Sequence, residues 1–426
     1  MSVGIYISVP FCRTKCSFCN FASGVFSRAV FDRYVTQVCS EIAAAETIAQ
    51  QLGGRFEREV DSIYLGGGTP SVLAPDQLER LFDAVRANFE VDRAAEITVE
   101  CAPGTISDEI LETLLGCGVN RVSLGVQSFV DQECSSVGRL HTRAITLADI
   151  GRLRAGGMGN ISVDLIAGLP HQTPESWDIS LSETLATGVP HVSVYMLEVD
   201  EDSRLGNELL AGGSRYHAHH VPDDDLIADL YLVACERLER GGVEQYEISN
   251  FARPVTHGIG LWDSRHNRKY WTRQSYLGFG VDAHSMLPAA PELKATGVDA
   301  VRFATPDSLE GYSAGGIQLS PVASRVSQLQ ASRTLVDAQA ALEESFFLGL
   351  RLNRGISPDE LKSTFGCEVV DSYRPILIEL MEDGLLEHVA GRRCLTARGR
   401  LLSNEVFARF LRDKVVHHGD TEARRQ

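Results

Sequence analysis

Three cysteines fall close together near the start of the chain, in Cys12-Arg13-Thr14-Lys15-Cys16-Ser17-Phe18-Cys19, just after the apolar segment Ile5-Tyr6-Ile7-Ser8-Val9. The C-x3-C-x2-C spacing supplies three thiolates and no fourth. A structural zinc site takes four protein ligands and a [4Fe-4S] cluster has four iron corners, so three thiolates leave one iron open to an external ligand. An open iron at a strand exit invites a small-molecule cofactor. The competing reading, three buried structural thiols, is the ordinary fate of intracellular cysteines, but the spacing favours the cluster. The other seven, Cys39, Cys101, Cys117, Cys134, Cys235, Cys367 and Cys394, show no ligand spacing and read as core residues.

Other candidates are spread along the first half of the chain. Gly66-Gly67-Gly68-Thr69-Pro70 lets backbone approach a ligand closely, because glycine lacks a side chain and tolerates positive φ. On its own such a run is often a mere turn. Glu100 and Gln127 stand where strands end, and their plain alternative is a solvated loop. Arg139 offers a fork of donors suited to a carboxylate. Asp164 interrupts the apolar run Ile161 to Ile166 and would need a partner if buried. His217-Ala218-His219-His220, followed by Asp223-Asp224-Asp225, reads as a solvated turn before a helix and is assigned no function.

These residues need elements to hold them. From Val3 to about residue 200, short β-branched runs alternate with helix-period segments, the pattern of βα units around a parallel sheet. Six strands are expected: Gly4 to Val9, Ser62 to Leu65, Glu96 to Glu100, Arg121 to Leu124, Asn160 to Ile166 and His191 to Tyr195. The cysteine loop and the glycine run then lie at the C-terminal ends of strands, where βα barrels place their chemistry. Residues 201–338 read as an α/β extension that passes, from about residue 287, into an irregular connection with room for one strand or helix. Residues 339–416 read as a small winged-helix-like domain, with a hairpin around Ala390-Gly391-Arg392, and 417–426 as a disordered tail.

The first residues lack a basic, signal-like region, and no apolar stretch is long enough to span a bilayer. A reducing cytoplasm is the expected compartment, with the ten cysteines as thiols or ligands. The formal charge of -17, from 57 acids against 40 bases, argues against a nucleic-acid or anionic-membrane surface for the chain as a whole, local basic patches aside.

Taken in order, Cys12-x3-Cys16-x2-Cys19, Gly66-Gly67-Gly68-Thr69-Pro70, Gly125-Val126-Gln127-Ser128-Phe129 and Asp164-Leu165-Ile166-Ala167-Gly168-Leu169-Pro170 resemble the oxygen-independent coproporphyrinogen III oxidase family of the radical S-adenosylmethionine (SAM) superfamily. The resemblance covers nearly the whole chain. It implies a partial (β/α)6 barrel with a helical, winged-helix-like C-terminal domain, a [4Fe-4S] cluster on Cys12, Cys16 and Cys19, and SAM on the fourth iron. Matched by position, Tyr6, Gly67, Gly68, Thr69, Glu100, Gln127, Arg139 and Asp164 would be the SAM contacts.

Two departures from the oxidases resemble the family's haem chaperone branch: Phe21 stands where a fourth cysteine is expected, and the first strand begins with no N-terminal arm before it. Arg265-His266-Asn267-Arg268-Lys269-Tyr270-Trp271 also matches that branch's His-Asn-x-x-Tyr-Trp motif. The resemblance thus implies haem as a ligand, with His266 as its contact, and haem-acceptor proteins, membrane-associated respiratory components, as partners. It further implies peripheral contact with the inner face of the membrane. The rival is the dehydrogenase itself, which would need an electron donor. In Gly280-Val281-Asp282-Ala283-His284, Asp282 takes a place where the branch more usually has glycine.

Overall fold

The computed structural model describes residues 2–201, 203–255, 260–314 and 321–411; the tail expected at 417–426 lies outside them. The described chain divides into two compact units, residues 1–270 with 274–336, and residues 271–273 with the segment from 337 onward.

The first unit is built on six parallel strands that pair in sequence order: β1 (Val3–Val9), β2 (Glu59–Gly67), β3 (Glu90–Cys101), β4 (Arg121–Gln127), β5 (Asn160–Ala167) and β6 (His191–Met196). All six expected strands are present, most of them longer than the apolar runs alone mark. Helices Arg28–Ala43, Pro75–Asn88, Asp108–Gly116, Arg143–Ala155 and Pro174–Thr187 lie between them. The helix starts are written in the sequence. Ser27, Ser107, Thr142 and Thr173 each accept a hydrogen bond from a first-turn amide, and Pro75 and Pro174 stand where a missing N–H costs nothing.

The strands are sharply two-faced. Val3, Ile5, Ile7, Ile63, Leu65, Val99, Val122, Leu124, Ile161, Val163, Val192 and Val194 are almost wholly buried and alternate with Gly4, Tyr6, Ser8, Ser62, Tyr64, Glu100, Arg121, Ser123, Ser162, Asp164, His191 and Ser193. Because successive side chains of a strand point to opposite faces, the second set forms one continuous polar face. Cross-strand pairing keeps it in register, with Tyr6 opposite Tyr64, Glu100 opposite Ser123, and Asp164 opposite Ser193.

Both edges of this sheet are extended. β7 (Glu244–Gln245) and β8 (Asn250–Ala252) add antiparallel strands beyond β6. On the other side β9 (Tyr276–Phe279) runs parallel to β1, and β10 (His284–Pro288), β11 (Val298–Ala304) and β12 (Thr334–Asp337) follow. This corrects the expectation of an irregular connection from residue 287. Val301 and Phe303 are buried, so β11 carries a short period-2 pattern within the Pro-, Ala- and Gly-rich composition.

The second unit holds helices Ala338–Arg351, Pro358–Phe365, Cys367–Asp371 and Arg374–Glu382, then a hairpin of β13 (Leu386–Val389) and β14 (Arg392–Leu395), then helices Ala397–Leu401 and Ser403–Ala408. Ala390 and Gly391 both have positive φ, 48° and 81°, as a two-residue hairpin turn demands. Phe346 stacks on Phe410 at 4.8 Å in its core. Cys367, expected inside, is exposed, because it begins a short helix after Gly366 rather than facing that core.

Candidate cluster and cofactor site

The cysteine loop leaves the end of β1 and is closed at its neck. Cys12 N donates to Gly24 O at 2.9 Å and Gly24 N to Pro10 O at 2.9 Å. Its far side is tied down by Ser17 N to Val137 O at 3.1 Å, Leu205 N to Ser17 O at 2.8 Å and Thr14 Oγ1 to Gly138 O at 2.9 Å. Cys16 is buried, while Cys12 and Cys19 are partly exposed. Each thiol has a polar neighbour: Thr69 Oγ1 lies 3.7 Å from Cys12 Sγ, Arg139 Nη1 3.6 Å from Cys16 Sγ, and Ser23 Oγ 3.8 Å from Cys19 Sγ. Burial pushes the Cys12 thiol above its ordinary pKa, and the sulfurs of Cys19 and Cys16 push the same way. Sulfurs close enough to repel as thiolates are what a cationic metal centre draws together.

The glycine run is stitched to the same loop. Gly68 N donates to Val9 O and Thr69 N to Phe11 O, both at 2.8 Å. A Cβ on Gly68 would stand 2.7 Å from Val9 O, 2.8 Å from Phe11 O and 3.0 Å from Cys12 Sγ. Only glycine fits there. Gly67 has φ +98°, which an L side chain rarely adopts.

The polar face carries the remaining candidates. Tyr64 OH donates to Glu100 Oε1 at 2.7 Å; burial raises the Glu100 carboxyl to about 7, although that hydrogen bond opposes the rise. Burial likewise raises Asp164, against the pull of the Ser193 and Ser123 hydroxyls; Ser123 Oγ sits 2.9 Å from its Oδ2. Arg121, 2% exposed in the middle of this face, gives these acids a buried counter-charge: burial lowers its pKa, but Glu96 first, then Tyr64, Tyr246 and Asp164, more than compensate. Gln127 has φ 66° at a register shift between Gly125 and Gln127, beside Arg139, which also donates to Gly125 O.

Tyr6, Gly67, Gly68, Thr69, Glu100, Gln127, Arg139 and Asp164 therefore all lie on β1–β5 or just beyond their C-terminal ends, on the side of the cysteine loop. Glu100 and Asp164 can accept from hydroxyl or ammonium groups, and Arg139 can donate to a carboxylate. Sequence reasoning missed Tyr64, Arg121, Ser123, Ser162 and Ser193. Their signal was the period-2 alternation of polar residues across consecutive strands.

His266 packs against the same polar face, its ring centroid 6.5 Å from that of Tyr6 and 5.4 Å from that of Tyr64. It lies on the helix Arg265–Trp271, whose first amides donate to the Glu96 carboxylate on β3, from Arg265 N at 3.0 Å and His266 N at 3.1 Å. Its ring is 1% exposed, with Nδ1 3.0 Å from Ser62 Oγ and Nε2 2.9 Å from Tyr270 OH. Burial, followed by the Lys269 charge, lowers its pKa to about 3. Neither ring nitrogen reaches a ligand without giving up one of those bonds.

Tyr270 also lines a cleft of about 310 Å³ with Tyr6, Phe21, Tyr276, Asp282 and His284. Tyr276 and Tyr6 sit on the same face, since Gly4 pairs with Tyr276 and Tyr6 with Gly278. Phe21, in place of a further cysteine, is 62% exposed. Asp282 has φ 54°, a left-handed backbone that explains why glycine suits this position.

Comparisons with known proteins agree with this architecture. The Radical SAM superfamily model matches residues 6–182, and the HemN C-terminal domain model matches residues 336–402. The Heme chaperone HemW of Lactococcus lactis subsp. lactis is 31% identical over 410 residues, which cover 96% of this chain and 97% of that protein. The chain belongs to the HemW family. The HemW of Bacillus subtilis is also 31% identical, over 95% of this chain and 98% of its own length. The fold of this HemW-family chain matches the coproporphyrinogen III oxidase HemN of Escherichia coli, with a TM-score of 0.77 over 96% of this chain and 90% of that one, at 23% identity. The radical SAM fold of HemW-family chains implies a [4Fe-4S] cluster and SAM, and three thiols on one loop beside a glycine cradle fit both.

Proposed function

We propose that this protein is a haem chaperone that binds haem and passes it to acceptor proteins, among them membrane-associated respiratory components. The full-length similarity to proteins named heme chaperones carries this reading. Cys12, Cys16 and Cys19 would hold the [4Fe-4S] cluster. Tyr6, Gly67, Gly68, Thr69, Glu100, Gln127, Arg139 and Asp164 would hold exchangeable SAM at the open iron. When bound, the cluster supplies a one-electron redox centre with one exchangeable position. The chain's own part is to fix the thiols, keep the acids of the polar face beside Arg121, and orient a carboxylate through Arg139.

Haem would rest against the Phe21, Tyr270 and Tyr276 side of the aromatic cleft, leaving Tyr6 and Gly67, which line the same cleft, to SAM; tyrosine and phenylalanine rings suit a flat apolar macrocycle. His266 would be the residue to offer a ring nitrogen to haem iron, at the expense of the bond between its Nε2 and Tyr270. The hydrogen bond given up is worth about 1 kcal/mol net. Among the described residues no helix is long and apolar enough to cross a membrane. In this reading membrane-associated acceptors would be met peripherally, at the inner face of the membrane. Haem titration of the anaerobically reconstituted chain, followed by mixing with an apo-haemoprotein, tests the proposal. A saturable haem complex whose spectrum moves to the acceptor is expected; haem that does not saturate, or never leaves, contradicts it.

A further inference from the structure

The turn His217-Ala218-His219-His220 acquires a partner that its sequence neighbourhood does not reveal. His171, in the loop that follows β5, is brought against it, so that one ring nitrogen from each of His171, His217 and His220 lies within 4.8 Å of the others. The ring centroids of His171 are 5.0 Å from those of His217 and 3.9 Å from those of His220. We propose that His171, His217 and His220 form a binding site for a divalent transition-metal ion of the zinc class, with a fourth coordination position open to water or an anion.

The decisive distance is His171 Nε2 to His217 Nδ1, 3.3 Å. Zinc binds imidazole nitrogen at about 2.0–2.1 Å, so two ligands on a tetrahedron's edge stand about 3.3–3.4 Å apart. The same separation is long for a hydrogen bond between nitrogens. Imidazole is largely neutral near pH 7 and offers the lone pair that zinc, copper, nickel and cobalt take up.

The backbone under the three rings is held independently of any ion. Glu208 accepts from Tyr216 N at 2.8 Å and from Ala218 N at 3.1 Å. His220 N donates to His217 O at 2.9 Å, and His171 N to His220 O at 3.0 Å. Ala218 is buried in the apolar cluster that contains Leu169, two residues before His171. The loops thus present the ligands before the ion arrives, and only side-chain rotation is left to close the site. His219 is exposed and its nitrogens lie outside the converging set, although its ring packs on that of His220 with centroids 4.0 Å apart.

The full-length chain is first reconstituted anaerobically, so that Cys12, Cys16 and Cys19 do not compete as thiolates. It is then titrated with Zn2+ and with Co2+ as an optical probe, and zinc X-ray absorption identifies the ligands. We expect one further zinc per chain, with nitrogen and oxygen neighbours at about 2.0 Å and cobalt spectra free of thiolate charge-transfer bands. His171→Ala and His220→Ala should each weaken binding by at least ~100-fold, the upper end of the loss from disturbing an outer-shell partner alone; His219→Ala should not. His220 is exposed, so its replacement reports on the ion even if His171→Ala folds poorly. No retained zinc, sulfur in the zinc shell, or equal affinity in His220→Ala and His219→Ala would overturn the assignment.

Discussion

Replacing His266 with Ala separates a histidine that locks the fold from one that merely awaits haem. In the haem-free chain the ring joins Ser62 on β2 to Tyr270 at 3.0 and 2.9 Å. Its removal strands two hydroxyls, at about 1–3 kcal/mol for each buried group left unsatisfied. Tyr270 faces a cleft where water can replace the lost partner, so the Ser62 hydroxyl carries that cost, and the cavity left by the ring adds about 1 kcal/mol, for a loss of about 2–4 kcal/mol near pH 7. The pH dependence is sharper. The folded-state pKa is lowered to about 3, against about 6.5 unfolded. The unfolded chain therefore binds the extra proton between those values. Stability is full above pH ~6.5 and falls, as pH drops towards 3, by about 1.4 kcal/mol per unit from this group.

The variant lacks that loss. Its deficit should shrink on acidification and reach zero between about pH 5 and pH 3.5, the point where the slope has consumed 2–4 kcal/mol. His191 and His141, also lowered by burial, add slopes of the same sign, and Glu100 adds one of opposite sign; all are common to both chains and leave the difference unaffected. Urea midpoints of the two proteins, measured in parallel from pH 4 to 7, read this directly. A constant offset at every pH would refute a neutral, doubly bonded His266.

Gly68→Ala should force the cysteine loop away from the glycine run, at about 1–3 kcal/mol of overpacking, and lower the iron bound per chain after reconstitution; wild-type iron content would mean the loop can yield freely. Glu100→Gln should gain stability over the wild type as pH rises from about 4.5 to 7, by up to ~1.4 kcal/mol per unit, because the protonated form that folding favours is lost through the raised pKa. Parallel urea titrations check this, and a flat difference would place Glu100 in a more solvated setting. Gly355→Ala puts a Cβ 2.0 Å from Arg393 O at φ +61°, so the second unit should lose about 1–3 kcal/mol, seen as faster proteolysis near the β13–β14 hairpin; unchanged cleavage would contradict the packing.

The parts of this fold that were legible are those in which one stretch of sequence carries its own signal. β1, β4 and β6 begin within a residue of where their apolar runs begin, and Ser/Thr caps mark the helices. The cysteine loop was readable because its three cysteines lie on one turn of chain. What escaped was distributed. The polar face takes a few residues from each of six strands, and none of Tyr64, Arg121, Ser123 or Ser193 is conspicuous until pairing lines them up. Asp164 appeared as an interruption of one apolar strand; on the sheet it is part of a row. His171 and His217 are separated by 46 positions, so their convergence is a property of the fold. His266 shows the converse: its motif was visible, whereas its burial between Ser62 and Tyr270 depends on a helix packing on strands some 200 residues earlier. β11 was obscured by the composition around it.

Whether the cluster scaffold serves haem carriage, as proposed, or porphyrin oxidation can be decided in one anaerobic preparation. With the cluster reconstituted, SAM and a reductant present, haem binding and coproporphyrinogen III turnover are measured side by side. A saturable haem complex, perturbed in its absorption spectrum by His266→Ala, with no protoporphyrinogen formed, is the predicted result. Protoporphyrinogen formation without a stable haem complex would contradict it and return the chain to the dehydrogenase reading.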